Sequence, residues 1–423
     1  MALTITEQPY PFTPRGQKLL FCATSTNNAQ TGFKFGVSVL EVGTSKLYEF
    51  FISPSPGDQF LYFDMAQLVV LRNFEADYDF HSMTTSGVYS EVDGDGWKSY
   101  EVTISEWWEV GGVLTHNVAA DETVNQSVFN ASYQVSNGFK PNVLSVDTRV
   151  GFALNDSSSI AMSNRFPETH VWDYATTFGY TGKYTFIPVF ETDYGMLFVP
   201  GGTFISTNDI NQYRITLKDS TGAVHTGSVT IPANEICGVP AYPANLNVST
   251  ESIPKPEDYV NWIAYVIDFR ESGSVRSMGY CFYNAKLYGQ SDCRHDYVRL
   301  GWVNSRGGWD YFNFIKKNED SFTIERKQYR KVLANFFEKA DRQLYDRDNI
   351  VTQVITITSD WIQEQEFVFL RQLLISSQVH LLNLDGSYTP VSLQENAYNE
   401  KRERNGKLYN LTLKVVYSQD YWV

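Results

Sequence analysis

Phe33-Lys34-Phe35-Gly36-Val37-Ser38-Val39 decides the fold class. The odd positions are apolar and the even ones are small or polar. Successive side chains of an extended chain point to opposite faces, so this period describes a strand with one buried face. The same reading works outward. Residues 19–23 form an earlier, fully buried strand, and residues 48–52 a later one stopped by Pro54 and Pro56. Asp64 is placed to cap a short helix over residues 65–71. Strands return at residues 100–104 and 106–110. The opening block, residues 1–120, therefore reads as a β-sandwich-like domain.

Composition agrees. Aromatic residues make up 15% of the 423 residues and charged residues only 19%, a balance that favours pleated, half-buried surfaces. A chain this long exceeds one ordinary core, so two or three domains are expected. The net charge is -14. Residues 311–423 contain 15 Lys and Arg and 15 Asp and Glu, so the first 310 residues carry all of it. An acidic surface gives no footprint for phosphate and excludes sequence-specific nucleic-acid binding. It suits a surface that DNA passes without sticking, and solubility alone explains it equally well. Cys22, Cys237, Cys281 and Cys293 form no CxxC pair and read as reduced, buried thiols. The N-terminus has neither the basic nor the apolar region of a secretion signal. Apolar runs such as residues 68–71 fall far short of the ~18 residues of a membrane span.

Weak patterning around residues 117–142 marks the first boundary. Alternation at residues 184–190, 196–199, 213–217, 262–269 and 280–283 then predicts a second β domain over 121–305. In the last segment, 306–423, Phe312 and Phe314 share one strand face, and Phe322 and Ile324 share another. Residues 327–339 are mixed, helical or loop. Residues 350–358 alternate. Ile362, Phe369, Leu370, Leu373 and Leu374 then recur at helical spacing behind an Asp360–Gln363 capping box. Asp385-Gly386 turns a hairpin, and Leu411, Leu413 and Val415 alternate in a final strand. The order is strand, helix, hairpin, strand.

Chemistry is sparse. The six histidines show no metal-ligand spacing, and no nucleotide loop or GxSxG elbow occurs. Cys281 with Cys293, His295 and Asp296 matches no common zinc spacing. Glu91, Asp93 and Asp95 with Gly96 form a weak calcium candidate, but the bidentate Glu at position 12 of an EF-hand is replaced by Val102. An acidic hairpin turn explains them better. Trp107 and Trp108, beside Glu106 and Glu109, are possible sugar contacts, although neighbours on a strand face opposite sides. No cofactor is expected. A glycan-cleaving pair of carboxylates is a third, minor reading.

Three stretches carry a resemblance. They are Tyr297-Val-Arg-Leu-Gly-Trp-Val-Asn304, Arg306-Gly-Gly-Trp-Asp-Tyr-Phe-Asn-Phe314 and Ser321-Phe-Thr-Ile-Glu-Arg-Lys-Gln-Tyr329. They resemble virion structural proteins of tailed bacteriophages that infect Bacteroidetes, crAss-like phages included. Residues 33–39, Pro54-Ser-Pro56 and residues 62–68 look like the N-terminal sandwich of the same family. The C-terminal order is similar to the tail-tube-like module of distal tail proteins. The resemblance implies a non-enzymatic protein made in the bacterial cytoplasm and built into the virion. It implies a homo-oligomeric tail, neck or baseplate ring around the DNA exit path, in contact with neighbouring phage proteins. Arg306, Trp309, Tyr311, Arg402 and Arg404 are the interface candidates. A packing reading stands beside them: Gly307 and Gly308 permit a bulge, and 401–404 is a solvated hairpin end. A carbohydrate-binding adhesin of the tail is the alternative.

Overall fold

The computed structural model describes residues 3–9, 12–16, 18–44, 46–69, 86–91, 97–129, 149–150, 171–173, 183–201, 210–232, 235–259, 261–271, 274–288, 296–332, 336, 338–340, 342–360, 362–394, 408–418 and 421–422. The fold is mainly β, in sheets that are largely antiparallel.

The first unit contains β1 (Leu3–Pro9), β2 (Phe12–Pro14), β3 (Leu20–Ser25), β4 (Lys34–Glu41), β5 (Leu47–Ile52) and β6 (Leu61–Asp64). After β7 (Tyr89–Glu91) come β8 (Trp97–Val110), β9 (Val113–His116), β10 (Glu122–Phe129) and β11 (Arg149–Val150). One sheet has the order β11-β1-β3-β6, the other β2-β10-β8-β4-β5 with β9 beside β8. The two share a core. Phe35, Val37 and Val39, the apolar face of the opening stretch, meet Leu3, Phe21 and Leu61 across it. The alternation thus does what its period predicts, and burial of such faces supplies about 25 cal/mol per Å². The two strands expected at 100–104 and 106–110 are one, β8. The helix expected behind Asp64 is a single 3-10 turn, Met65–Gln67, whose N-cap Asp64 accepts from the Ala66 amide. Residues 70 and 71 lie outside the described residues.

The second unit contains β12 (Val171–Asp173), β13 (Lys183–Val189), β14 (Met196–Gly201), β15 (Gln212–Lys218), β16 (Val224–Thr230) and β17 (Glu235–Pro240). Helix α1 (Pro243–Val248), β18 (Ala264–Glu271) and β19 (Ser274–Asn284) follow. The main sheet runs β12-β13-β19-β18-β15-β16, and a smaller one β14-β17-β7. β7 therefore leaves its sequence neighbours and pairs with β17. That overturns the acidic hairpin expected around Glu91, because β8 pairs with β4, β9 and β10 instead.

The third unit begins with β20 (Val298–Val303), β21 (Trp309–Phe314), β22 (Glu319–Arg330) and β23 (Leu344–Thr358). It continues through β24 (Ile362–Gln363), α2 (Glu364–Ile375), β25 (Val379–Leu382), β26 (Tyr388–Leu393), β27 (Leu408–Tyr409), β28 (Thr412–Tyr417) and β29 (Tyr421–Trp422). Its sheet has the order β21-β20-β25-β26-β28-β23-β22, with β29 on β23. The strand, helix, hairpin, strand order is present. Gly386 takes φ 87° in the Asp385-Gly386 turn, a conformation glycine adopts freely because it has no Cβ. α2 lays Phe367, Phe369, Leu370 and Leu373 against Trp302, Ile357 and Leu413. The capping box is displaced: Gln363 belongs to β24, and α2 starts after it. The final alternating run is also broken. Ser359 accepts the Leu411 amide on its hydroxyl oxygen at 2.9 Å, and its carbonyl accepts from Asn410 Nδ2 at 2.9 Å, separating β27 from β28.

Both expected boundaries fall inside sheets. β10 lies past residue 120 yet pairs with β8 over eight positions. The 305/306 boundary cuts the β20–β21 hairpin. Weak patterning misplaced the first. The second falls on a turn, because Gly307-Gly308 joins two paired strands. Gly307 has φ 81°, and the Asn304 amide donates to the Gly308 carbonyl at 2.8 Å. The expected bulge is a turn.

Candidate functional site

Two places in the fold gather unusual side chains. The first is inside. Arg299 projects from β20 into a buried pocket of polar and aromatic groups contributed by the second and third units. Its Nη1 lies 3.3 Å from Asp193 Oδ2 and donates to Asn313 Oδ1 at 2.8 Å, and its Nε donates to the Tyr194 carbonyl. The guanidinium sits 4.3 Å from the Tyr242 ring centroid and 5.1 Å from that of Tyr311. Asp193 also accepts from Tyr297 Oη, Asn313 Nδ2 and the Phe190 amide. Burial pushes the guanidinium down, but Asp193 and the tyrosines more than offset this and hold it above its usual value. Burial likewise raises the Tyr242 phenol to about 12, and the Tyr311 phenol further, so both stay neutral. Gly195 closes the pocket. A Cβ there would lie 2.9 Å from Tyr311 and 3.0 Å from Tyr242.

This cluster accounts for two interface candidates. Trp309 and Tyr311 are buried in the core that the second unit shares with the third. Trp309 packs against His380 at 4.8 Å, and the Tyr311 hydroxyl accepts the Met196 amide at 3.3 Å. As core residues they are unavailable to a neighbouring subunit, which corrects the expectation. Arg306 is half-buried on the hairpin turn, its amide donating to Asn304 Oδ1. Arg402 and Arg404 lie outside the described residues.

The second place is outside. β22 and β23 pair from Glu319↔Thr356 to Arg330↔Leu344. β28 supports β23 only over Val354–Thr358, and β29 only at Ile350 and Val351. Beyond that the hairpin is two-stranded among the described residues and projects as an arm of about 20 Å at 3.4 Å per residue. Every residue of β22 is exposed. Phe322 is 62% exposed, and near the tip Val332 is 91% and Phe336 96% exposed. Tyr329 stacks on Tyr345 at 5.5 Å, which stiffens the pair. The sequence pattern at Phe322 and Ile324 is that of a strand with a covered face, but nothing in the described residues covers it. Residues 327–339, read as helix or loop, start with the last strand residues of this arm, because the β22–β23 register continues through them to Arg330.

The remaining candidates separate. Trp107 and Trp108 do face opposite sides. Trp108 packs on the core of the first unit. Trp107 lies on the outer face, stacked on His116 at 4.4 Å, edge-on to Phe51, with Nε1 donating to Ser105 Oγ. His116 is itself 2.8 Å from Asp121. Glu106 is a buried anchor that accepts from Ser25, Asn27 and Asn117. The Glu91 backbone lies in β7, whereas Asp93, Asp95, Cys293 and His295 lie outside the described residues. Among the described residues no group of His, Cys, Asp and Glu is arranged to hold a metal ion. No described helix is long and apolar enough to cross a membrane. No protein-family model matches the chain, and no curated protein matches it.

Proposed function

We propose that this chain is a structural component of a tailed-phage virion, one subunit of a tail, neck or baseplate ring through which DNA exits. The first two units are read as β-sandwich-like domains and the third as a tail-tube-like α+β module. The chain acts by self-association and by contact with neighbouring virion proteins, and it takes no cofactor. One observation carries the reading: a long two-stranded arm with exposed apolar side chains. An isolated hairpin of this kind is at best marginally stable in water, and soluble monomers rarely leave such apolar surface uncovered. An arm that is covered on assembly resolves both problems. The acidic balance fits a surface that DNA crosses without binding.

The test is to label the protein in the native particle, with an antibody or a gold-binding tag, and image it. Density arranged around the tail or neck axis is the expected result. Absence from purified particles rejects the proposal. The second reading, a carbohydrate-binding adhesin, rests on Trp107 and Phe51 on the outer face of the first unit. One face of the Trp107 ring is already taken by His116. Glycan-array binding that is lost in Trp107→Ala supports it, and no binding to host-surface glycans removes it.

A further inference from the structure

The arm has a chemistry that specifies its partner. From the Arg326↔Asn349 pair outward, residues 326–349 contain seven Lys and Arg and four Asp and Glu, a net +3. The remaining 399 residues carry 27 and 44, a net -17. Residues 1–129 alone hold 6 and 16. A basic arm on an acidic body is complementary to another copy of the same body.

The first unit also offers a matching edge. β5 ends its sheet as β22 ends the other, and among the described residues no strand pairs with the outer side of either. Along β5 the residues alternate between exposed and half-buried. The exposed ones are Leu47, Glu49 and Phe51, an acid between two apolar side chains. Along β22 the exposed apolar Phe322 and Ile324 are followed by Arg326 and Lys327. Unpaired edges of this kind are templates for strand addition.

We infer that β22 of one copy pairs edge to edge with β5 of a second copy. Leu47 and Phe51 then cover Phe322 and Ile324, and the arm's cations face Glu49 and the acidic first unit around it. The contact is head-to-tail, since two different surfaces meet, and such contacts generate rings or filaments. This rests on the structural reading above and names the partner of its arm.

The test uses the full chain. A photo-crosslinking residue replaces Ile324, and light and heavy-isotope copies are mixed. Cross-linked peptides from residues 34–64, in light–heavy pairs, are expected. Lys327→Glu with Arg330→Glu is expected to weaken self-association about tenfold, through lost charge complementarity. Adding Glu49→Lys is expected to restore part of it, which misfolding would not do. Cross-links confined to one chain or mapping to another surface overturn the inference. So do an unchanged association constant after charge reversal, tight binding of the arm to duplex DNA, and a monomer at every concentration. Particle labelling is read separately, so the inference can fail while the proposed function stands.

Discussion

Arg299 shows how one residue ties two units together. A buried charge is tolerated only when it is paired and hydrogen-bonded, and here Asp193, Asn313 and the Tyr194 carbonyl meet that demand from both sides of the junction. Arg299→Met strands the Asp193 carboxylate, and a loss of roughly 3–5 kcal/mol is expected in urea unfolding. The signal was present in the sequence: Val298-Arg299-Leu300-Gly301-Trp302 places a charge in an otherwise apolar strand, which requires a partner. The partner's identity was not legible, because Asp193 sits in a turn more than a hundred residues earlier. His380 gives a second prediction. Burial against Trp309 and Tyr388 lowers its pKa to about 4. Below the ordinary value near 6.5 the unfolded chain binds a proton that the folded chain refuses. Stability is therefore complete above pH 6.5 and declines as pH falls toward 4. Thermal melting at pH 7 and pH 4.5 measures the drop, and His380→Phe reduces it.

At the scale of elements, local patterns were read well wherever a strand had one dry face. β4, β15 and β28 follow their alternation because burial rewards it. The arm was misread for the complementary reason. Its residues mix charge with apolar groups, because its faces meet solvent in the single chain. Its β22 strand is exposed throughout, so the outer hairpin is also dispensable to the fold. Replacing residues 326–349 with Asn-Gly is expected to shift Tm by about 2 °C or less, a change worth under ~1 kcal/mol. The same variant weakens self-association, because the arm's cations are gone while Phe322 and Ile324 remain, and sedimentation velocity checks it. Truncating α2 from within is different. Leu370 is fully buried against the third sheet, and Leu370→Ala is expected to cost about 2–5 kcal/mol.

For the whole molecule, the boundaries were the least legible feature. Domain limits follow from which strands pair, and pairing at long range leaves no local mark. The arm also makes the molecule selectively vulnerable. Trypsin cuts after Lys and Arg, and the seven such residues between Arg326 and Arg347 sit on the thinnest part of the structure. First cleavage there is expected in dilute protein, with protection on assembly, read by mass spectrometry of early fragments. The pairing of β7 with β17 has a different reach. Ile236 is hydrogen-bonded beside Glu91, so a ribosome must make some 145 further residues before β7 finds its neighbour. At the ~5–20 residues per second of synthesis, that segment waits several seconds or more in the nascent chain. β7 is thus completed by the second unit in time as well as in space, and a truncation before residue 235 leaves that strand an open invitation to chaperones.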